Sequence, residues 1–256
     1  QAGGRCVLTG GSIMKFLGII PSRYGSTRFP GKPLVDIQGK SMIQRVYEQA
    51  QKTQVFSSVI VATDDQRIFD HVEAFGGQVK MTSPAHTCGT DRCIEVLESE
   101  GQNAYDVVVN IQGDEPVIDP QQLIQLCLAF DDVSTHIATL VKKTDSKDIL
   151  TDPSKIKVVR ALDGNALYFS RQAIPHLISG STAAFYKHIG IYAFRAETLL
   201  KIKSLGPTPL EKSESLEQLR WLEHGLRIQT VETEIESISV DEPKDLDRLL
   251  TILNGR

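Results

Sequence analysis

The sequence lacks the features that mark several large classes of protein. No uninterrupted apolar run approaches the roughly 20 residues that a helix needs to cross a bilayer, and no basic-then-apolar signal peptide opens the chain. The 28 basic and 32 acidic side chains leave a formal net charge of −4. That balance argues against a protein whose main task is to grip nucleic acid or an anionic membrane surface. We therefore predict a cytoplasmic protein without a nucleic-acid or membrane partner.

Cysteine is also scarce. The chain contains it at Cys6, Cys88, Cys93 and Cys127. These residues form no CxxC pair and have no histidine partner at metal-ligand spacing, so we expect reduced thiols and no closed zinc site. Residues 1–13 form a Gly-rich stretch that resembles a tag or a disordered extension, and we leave them out of the fold prediction.

What the chain does contain is enough apolar sequence for a sizeable core. Of its 256 residues, 41% are hydrophobic and 23% are charged, which is typical of a soluble globular protein. A chain of this length buries roughly 70–75% of the surface that its unfolded form exposes, so it needs neither disulfides nor a structural metal to fold. Length alone permits one large domain or two small ones.

The first half alternates apolar strands with amphipathic helices. Apolar runs at 16–20, 58–63 and 106–112 predict strands, and the periodic apolar residues after Ser41 predict a helix between the first two. The other elements predicted in this half are a helix over about 66–75, a short strand near 79–81 and a helix near 91–100. This alternation predicts an α/β fold with a doubly wound, mostly parallel sheet.

The second half is less regular. Strands at 157–161 and 166–170 have no helix between them, so we expect mixed or antiparallel pairing in a smaller β insert. The remaining predicted elements are a strand over 188–194, helices over 196–205 and 211–223, a strand near 228–233 and a helix from 243 to about 253. Without an internal repeat or a low-complexity linker, the pattern favours a single domain over residues 14–256.

The segment with the strongest functional signal is 21–34, directly after the first strand. It contains Arg23, Arg28 and Lys32 together with hydroxyl side chains and glycines, whose backbone N–H groups can approach a ligand. In an open parallel sheet this position is the crevice end, so the pattern predicts a polyphosphate site. It is neither a Walker P-loop, which fails at Lys32-Pro33, nor a GxGxxG motif. The alternative is a solvated basic loop.

This segment also carries a resemblance to a known family. The run from Arg23 to Leu34, RYGSTRFPGKPL, resembles the RYxSTRxPGKPL motif of the 3-deoxy-manno-octulosonate (Kdo) cytidylyltransferases, or CMP-Kdo synthetases. Further stretches that agree in order and spacing are 60–64, 81–82, 89–92, 110–116, 166–171, 188–192, 216–220 and 240–241. The chain departs from common family forms at residues 83–85, 87–88 and 212–214.

The resemblance spans residues 14 to about 250. It implies a Rossmann-like nucleotidyltransferase fold and transfer of CMP from CTP to Kdo, with release of pyrophosphate, for lipopolysaccharide synthesis. It also implies Mg²⁺ as cofactor and a homodimer, with residues of about 154–195 as a sugar-binding and dimerisation insert.

Two carboxylates are the candidate metal ligands. Asp114 follows the third strong strand at the crevice end of the sheet, where a carboxylate can hold a hard divalent cation. The alternative for Asp114 is a helix cap before Pro120. Asp241 precedes Glu242-Pro243 and, read alone, is compatible with the N-cap of the last helix. The resemblance implies that Asp114 and Asp241 bind Mg²⁺.

The nucleotide is expected at the start of a helix. In Gly89-Thr90-Asp91-Arg92, free N–H groups and small residues favour close approach to a nucleotide, and the alternative is an ordinary cap at Thr90. The resemblance implies a nucleotide-binding set of Pro21, Ser22, Arg23, Lys32, Gly89, Thr90, Arg92 and Gln112. The residues that it implies for catalysis are Arg23, Arg28, Lys32 and Asp114.

The sugar acid is expected to bind mainly through the irregular second half. The resemblance implies a Kdo pocket lined by Gln112, Arg171, His188, Tyr192, Glu217 and Gln218. Arg171 suits the Kdo carboxylate as a bidentate fork, and Glu217 and Gln218 suit polyol hydroxyls. Taken singly, each of these residues is also compatible with a structural role.

Other functions stay open at this stage. Among related acceptors, 8-amino-Kdo is not excluded, whereas the run 27–32 disfavours a sialic acid enzyme. A non-catalytic nucleotide-binding protein of the same fold is disfavoured by the presence of Lys32, Asp114 and Asp241. An NAD-dependent oxidoreductase is excluded because the glycine fingerprint and its ribose-binding acid are missing.

Overall fold

The computed structural model describes residues 14–25, 28–101, 103–179, 184–236 and 238–254. The predicted extension at residues 1–13, with Cys6, lies outside the described residues, as do Ser26 and Thr27 of the loop after the first strand. Within the described ranges, no helix is both long and apolar enough to cross a membrane.

The strands and helices follow one another along the whole chain. The strands are β1 (Phe16–Ser22), β2 (Asp36–Ile37), β3 (Lys40–Ser41), β4 (Phe56–Thr63), β5 (Gln78–Met81), β6 (Val107–Asn110), β7 (Ile137–Thr144), β8 (Lys157–Arg160), β9 (Ala166–Ser170), β10 (Phe185–Arg195) and β11 (Gln229–Glu232). The α-helices are α1 (Met42–Lys52), α2 (Gln66–Ala74), α3 (Gly89–Glu100), α4 (Pro120–Leu128), α5 (Lys147–Thr151), α6 (Ala196–Ile202), α7 (Pro209–Glu214), α8 (Gln218–Glu223) and α9 (Pro243–Asn254).

The chain divides into two compact units, residues 1–124 with 237–256 and residues 125–236. The insert predicted at about 154–195 lies inside the second unit, which begins earlier and ends later. One domain over 14–256 stays a prediction.

The first unit is built on a parallel sheet with the strand order β6-β1-β4-β5. Apolar and β-branched side chains fill it: all residues of β6 are buried, and only Pro21 in β1 is partly exposed. The chain runs outward from β1 to β4 and β5 and then places β6 on the other side of β1. The strand order therefore reverses between β1 and β6, which opens a crevice at their carboxyl ends. This sheet and its helices confirm the predicted α/β fold.

The first two helices of this unit begin where the sequence predicts. Ser41 caps α1, with its hydroxyl accepting the N–H of Gln44 at 3.2 Å, and Asp65 caps α2 by accepting the N–H of Arg67 at 3.0 Å. Gly76, just after α2, has a φ of +79°, which glycine adopts without steric cost. The stripe that α1 buries consists of Met42, Ile43, Val46, Tyr47 and Ala50.

The second unit contains a mixed sheet. β7 pairs antiparallel with β10 and parallel with β11, and β8 pairs antiparallel with β9 and β10. The structure thus confirms the mixed pairing expected for strands without a helix between them. It also contains β7, which the sequence analysis did not predict, although 137–141 are apolar at four of five positions and fully buried. The helix α4, which begins before residue 125, was not predicted either.

The single helix predicted over 211–223 is wrong. The structure has two short helices, α7 and α8, separated at Ser215, whose φ of +53° is left-handed. A residue in this conformation ends a right-handed helix. The chain turns there, and Leu216, Leu219 and Trp221 are buried.

Candidate active site

A cleft of about 270 Å³ opens at the carboxyl ends of β1 and β6 in the first unit. It lies where the strand order reverses, the position at which open α/β sheets bind ligands. The predicted site residues that line it are Pro21, Ser22, Arg23, Arg28, Lys32, Gly89, Arg92, Gln112, Asp114 and Asp241. The structure therefore brings together most of the residues predicted for nucleotide, catalysis and metal.

Lys32 is at the centre of the charges in this cleft. Its ammonium donates to Asp114 Oδ2 and to the Val240 carbonyl, each at 2.9 Å, and lies 3.8 Å from Asp241 Oδ1. Arg28 Nη2 donates to the same Asp241 oxygen at 3.0 Å. The Lys32 side chain is 14% exposed and that of Arg28 is 62% exposed. Two carboxylates thus converge on one shielded cation, with a second cation at the surface.

The carboxylates of Asp114 and Asp241 do not cap α4 and α9, which was the alternative function considered for them. Asp119 caps α4, because its side chain accepts the backbone N–H two residues further on at 2.8 Å. At α9 the carboxylate of Asp245 accepts the N–H of Asp241 at 3.0 Å. A hydrogen bond of 2.9 Å from the Val240 N–H to the Asp114 carbonyl joins the two segments. Both carboxylates are therefore left for the cleft, and the capping alternative is wrong.

The loop that carries Lys32 is held by specific contacts. Gly31 has a φ of +71°, and a Cβ at this position would lie 3.1 Å from the Tyr24 ring. The Gly31 N–H donates to the Tyr24 carbonyl at 3.0 Å, and the Arg67 guanidinium lies 3.3 Å from the centroid of the same ring. Pro33 is buried. The alternative of a solvated basic loop therefore does not describe the residues around Lys32.

Helix α3 begins at the wall of the cleft. Gly89 is its first residue, and a Cβ there would lie 3.3 Å from Pro21 Cγ, so only a small residue permits this approach. Cys88 occupies the N-cap position, whereas Thr90 is buried within the helix. The alternative in which Thr90 caps the helix is therefore wrong.

Buried polar groups lie at the carboxyl ends of β1 and β6. Ser22 Oγ and Asn110 Oδ1 have no hydrogen-bond partner among the described residues. Such atoms are rare in folded proteins and are normally paired with water or a ligand. Arg92 is different: its guanidinium is buried and donates to Asp64 Oδ2 at 2.8 Å and to the Thr82 hydroxyl at 2.6 Å. It therefore supports the cleft as well as lining it.

Two residues predicted for the sugar acid lie in an aromatic cluster of the second unit. His188 and Tyr192 on β10 have ring centroids 5.3 Å apart, and Trp221 lies 4.9 Å from Tyr192. His188 Nε2 is 2.9 Å from the Thr139 hydroxyl. Burial lowers the pKa of His188 to about 3 and raises the pKa of Tyr192 well above its usual value. Both side chains are therefore neutral near pH 7.

The other residues predicted to bind the sugar acid differ in their contacts and in the unit to which they belong. The Arg171 guanidinium donates to the backbone carbonyls of Glu214, Pro153 and Ser215, at 2.6, 3.0 and 3.2 Å. Some of its N–H donors therefore bind backbone carbonyls, and the guanidinium is not fully free to bind a carboxylate. Glu217 and Gln218 follow the left-handed Ser215, and Gln218 is buried. Gln112 belongs to the first unit, whereas Arg171, His188, Tyr192, Glu217 and Gln218 belong to the second.

Sequence reasoning missed several residues that shape the cleft. His86 lines it, Arg67 covers the Tyr24 ring, and the Val240 carbonyl accepts from Lys32. His86 had a signal, since it lies in a short connection just before a helix that begins with glycine. Arg67 had none, because a surface arginine on a helix carries no mark of its tertiary partner. Val240 lies in the stretch 240–241 that supports the family resemblance, but nothing in the sequence indicates that its carbonyl accepts from Lys32.

The charged groups of the cleft fit a divalent cation. Across the part of the chain that the structure describes, no group of three or more His, Cys, Asp or Glu side chains converges. Mg²⁺, however, is usually held by one or two carboxylates together with substrate phosphates and water. Asp114 and Asp241 supply hard oxygen ligands of that kind, and the Lys32 ammonium between them shows that positive charge is stabilised there.

Comparisons with known proteins agree with this geometry. The profile of a family described as cytidylyltransferase matches residues 17–228. A Parabacteroides distasonis protein named 3-deoxy-manno-octulosonate cytidylyltransferase is 52% identical over 254 residues, which cover 95% of this chain and 100% of that protein. A protein of the same name from Bacteroides thetaiotaomicron is 49% identical over 254 residues, which cover 95% of this chain and 100% of its own.

Solved structures agree as well. A CMP:2-keto-3-deoxy-manno-octonic acid synthetase complexed with CTP superimposes with a TM-score of 0.89 at 41% identity, covering 94% of this chain and 99% of that one. A cytidylyltransferase from Leptospira borgpetersenii has a TM-score of 0.65 at 17% identity, covers 95% of this chain and 88% of that one, and supports the fold alone. These matches confirm the nucleotidyltransferase fold expected from the sequence.

Proposed function

The chain belongs to the cytidylyltransferase family, and from that premise we propose that it transfers CMP from CTP to Kdo, giving CMP-Kdo and pyrophosphate for lipopolysaccharide synthesis, with Mg²⁺ as cofactor. The names of relatives about half identical to this chain support Kdo as the acceptor. The 41% identical synthetase, described with bound CTP, supports the nucleotide.

One observation of the structure carries the proposal. Arg28, Lys32, Asp114 and Asp241 meet in one cleft at the point where the strand order reverses. Cations of this kind can neutralise a triphosphate, and paired carboxylates can hold a divalent cation. Nucleotidyl transfer depends on both, because the protein contributes chiefly position and charge stabilisation.

The reaction in this proposal is an in-line displacement at the α-phosphorus. The anomeric C2 hydroxyl of Kdo attacks, and a new bond forms between its oxygen and the phosphorus. The bond from that phosphorus to the bridging oxygen breaks, pyrophosphate leaves with the bonding electrons, and the hydroxyl proton passes to solvent. Arg23, Arg28 and Lys32 neutralise the triphosphate and the negative charge that accumulates on the departing pyrophosphate.

Asp114 and Asp241 hold the metal in this proposal. When bound, Mg²⁺ supplies charge neutralisation and lowers the pKa of the attacking hydroxyl. The Lys32 ammonium, which contacts both carboxylates here, then turns to phosphate oxygens. The same lysine thus balances the carboxylates in the free enzyme and the phosphates in the complex.

The substrate groups away from the phosphates bind through the remaining predicted residues. Cytosine is bound by backbone and hydroxyl groups around Pro21, Ser22, Gly89, Thr90 and Gln112. Hydrogen bonds to the base discriminate against uracil more strongly than the shape of a pocket does. Neutral His188 and Tyr192, with Glu217 and Gln218, suit the hydroxyls of Kdo. A guanidinium has five N–H donors, so Arg171 keeps donors for the Kdo carboxylate beyond its backbone bonds.

We further propose that the enzyme is a cytoplasmic homodimer. The resemblance to the family supports the dimer, and the scarcity of cysteine supports a reducing compartment. Sedimentation at equilibrium tests the oligomeric state, since a monomer at enzyme concentrations that support full turnover contradicts the dimer.

A pyrophosphate-release assay tests the function. CTP and UTP are each combined with Kdo, 8-amino-Kdo and N-acetylneuraminate, with Mg²⁺ present or removed by EDTA. We expect release only with CTP and Kdo in the presence of Mg²⁺. Release without an acceptor, or a clear preference for another acid, contradicts the proposed reaction or its acceptor.

A further inference from the structure

The 83–88 segment, which joins β5 to α3, forms one wall of the cleft. His86, Thr87 and Cys88 line the cleft, although they belong to neither a strand nor a helix. Binding residues on a connecting loop depend on a rigid scaffold for their position. The side chains that attach this segment to α3 therefore bear on how a nucleotide is held.

Arg92 attaches the beginning of the segment. From the first turn of α3, its Nη1 donates to the Thr82 hydroxyl at 2.6 Å and lies 3.4 Å from the Ser83 carbonyl. Its Nη2 pairs with Asp64 after β4 at 2.8 Å, and only 4% of the side chain is exposed. This end of the segment is fixed by a buried, charge-assisted network.

Glu95 attaches the part of the segment that reaches the cleft. Its Oε2 accepts the backbone N–H of Ser83 at 2.9 Å and lies 2.5 Å from His86 Nε2. A carboxylate only accepts hydrogen bonds, so His86 Nε2 carries the hydrogen. Although burial alone would raise it, the bonds from Ser83 and His86 hold the pKa of Glu95 below its usual value. One carboxylate oxygen thus ties both ends of the turn over 83–86 to α3.

We propose that Glu95 is a positioning residue for the nucleotide, which acts through Ser83 and His86 to hold the 83–88 segment in the shape that CTP requires. Glu95 itself does not line the cleft. This inference rests on the proposed function, since CTP is the ligand. When Glu95 is removed, the wall has to be ordered by the nucleotide itself, and that cost weakens CTP binding.

Removal of Glu95 should affect KM and kcat differently. In the proposed reaction Lys32 neutralises the phosphates and the Asp114 and Asp241 carboxylates hold the metal. Glu95 is not among the side-chain partners of these residues, so the transition state of the bound complex is little affected. In Glu95→Ala we expect the KM for CTP to rise about tenfold while kcat stays within about twofold. Glu95→Asp, which keeps the charge but is one methylene shorter, gives a similar rise. Glu95→Gln stays within about threefold, because its amide oxygen can accept both bonds.

Glu100 provides the matched control on the same helix. It pairs with Lys80 and accepts from Tyr105, away from the cleft. We expect Glu100→Gln to leave both kinetic constants unchanged. Thermal melting of every variant separates loss of fold from loss of position, and Glu95→Asp supplies the comparison if the alanine variant does not fold.

A KM for CTP that stays at the wild-type value in Glu95→Ala and Glu95→Asp, a rise of equal size in Glu95→Gln, or a loss of kcat alone would overturn the role of Glu95. If wild type and Glu100→Gln release no pyrophosphate from CTP and Kdo, the proposed function fails instead. Calorimetric titration with CTP and Mg²⁺ then still tests whether Glu95 supports nucleotide binding.

Discussion

The two units of the molecule present their predicted binding residues in opposite ways. In the first unit, Lys32, Asp114, Asp241 and Arg28 form a chain of charges that opens to solvent. In the second, His188, Tyr192 and Trp221 are packed together and buried. The first arrangement depends on Coulomb attraction and responds to ions, whereas the second depends on packing and keeps its titratable groups neutral.

The difference matches the chemistry proposed for each side of the reaction. A triphosphate and a divalent cation need opposite charges that can be exchanged among partners. A polyol needs neutral hydrogen-bonding groups held in a fixed shape. Substitutions in the two units are therefore expected to differ in kind, and the following variants test that contrast from the largest effect to the smallest.

The largest effect is expected where packing holds the second unit. Trp221 is 1% exposed and makes edge contacts with Tyr192 and Phe194. Removing a buried aromatic ring leaves a cavity, so Trp221→Ala should lower the free energy of unfolding by about 3–5 kcal/mol. Urea unfolding measures the loss, with the partly buried Leu222 on the same helix, changed to Ala, as the milder control. A loss below about 1 kcal/mol would show that packing is not what holds the cluster.

The next effect belongs to the charged cleft and concerns rate. If Lys32 stabilises charge that develops in the transition state, Lys32→Ala should raise the activation free energy by about 2.7–4 kcal/mol. That corresponds to a fall in kcat of about 10² to 10³, measured by pyrophosphate release. Lys40→Ala, which removes an exposed lysine paired with Glu48, is the control. An unchanged turnover in Lys32→Ala rules out its catalytic role.

The same substitution of Lys32, although it should slow the reaction, should strengthen metal binding. Without its ammonium, the Asp114 and Asp241 carboxylates lose the cation that balances them. We expect Lys32→Ala to bind Mn²⁺ about tenfold more tightly than wild type in the absence of nucleotide, about 1.4 kcal/mol. Electron paramagnetic resonance of free Mn²⁺ measures this, with Asp241→Asn as the variant that should weaken binding. Equal affinity in wild type and Lys32→Ala would argue against metal binding by these carboxylates.

The smallest effect is the pH dependence of the buried histidine. Burial holds the pKa of His188 at about 3 in the folded protein, below the ordinary histidine value of 6.5. The unfolded chain therefore binds a proton between these pH values that the folded chain does not, and stability falls as the pH drops below about 6.5. When the pH falls from 7 to 5.5, the free energy of unfolding of wild type should decrease by about 1 kcal/mol more than that of His188→Leu.

Urea unfolding at the two pH values measures this difference. Tyr192→Phe, which keeps His188, is the control and should lose stability with falling pH as wild type does. Parallel pH dependence in wild type and His188→Leu would mean that the imidazole is accessible to protons in the folded state. The second unit would then resemble the first more than its burial suggests.

Local sequence signals predicted much of the first unit. The apolar runs of β1, β4 and β6 are continuous and bounded by polar residues, so both their type and their place were readable. In the second unit, β7 was missed in spite of a buried apolar run, and the break at Ser215 went unseen. A left-handed serine has no signature in sequence, because its conformation is imposed by tertiary packing rather than by its side chain.

The same limit applies to the site residues. Lys32 was identified in a loop of recognisable composition and Asp114 after a strand, whereas Asp241, compatible with an N-cap when read alone, was assigned by the family resemblance. Arg171 was assigned an open fork by its residue type, yet its guanidinium binds three backbone carbonyls. Glu95 was not singled out at all, since a glutamate on an amphipathic helix is the commonest of surface residues.

The sequence by itself determined the alternation of strands and helices, the basic loop after β1 and the residue types available for a phosphate and a metal. These follow from local rules of periodicity, turn chemistry and charge. Only the tertiary structure decided that Lys32 meets a carboxylate 82 residues away and a carbonyl 208 residues away. Partners at such separations are chosen by sheet order and chain closure, which depend on the whole fold and leave no mark in the local sequence.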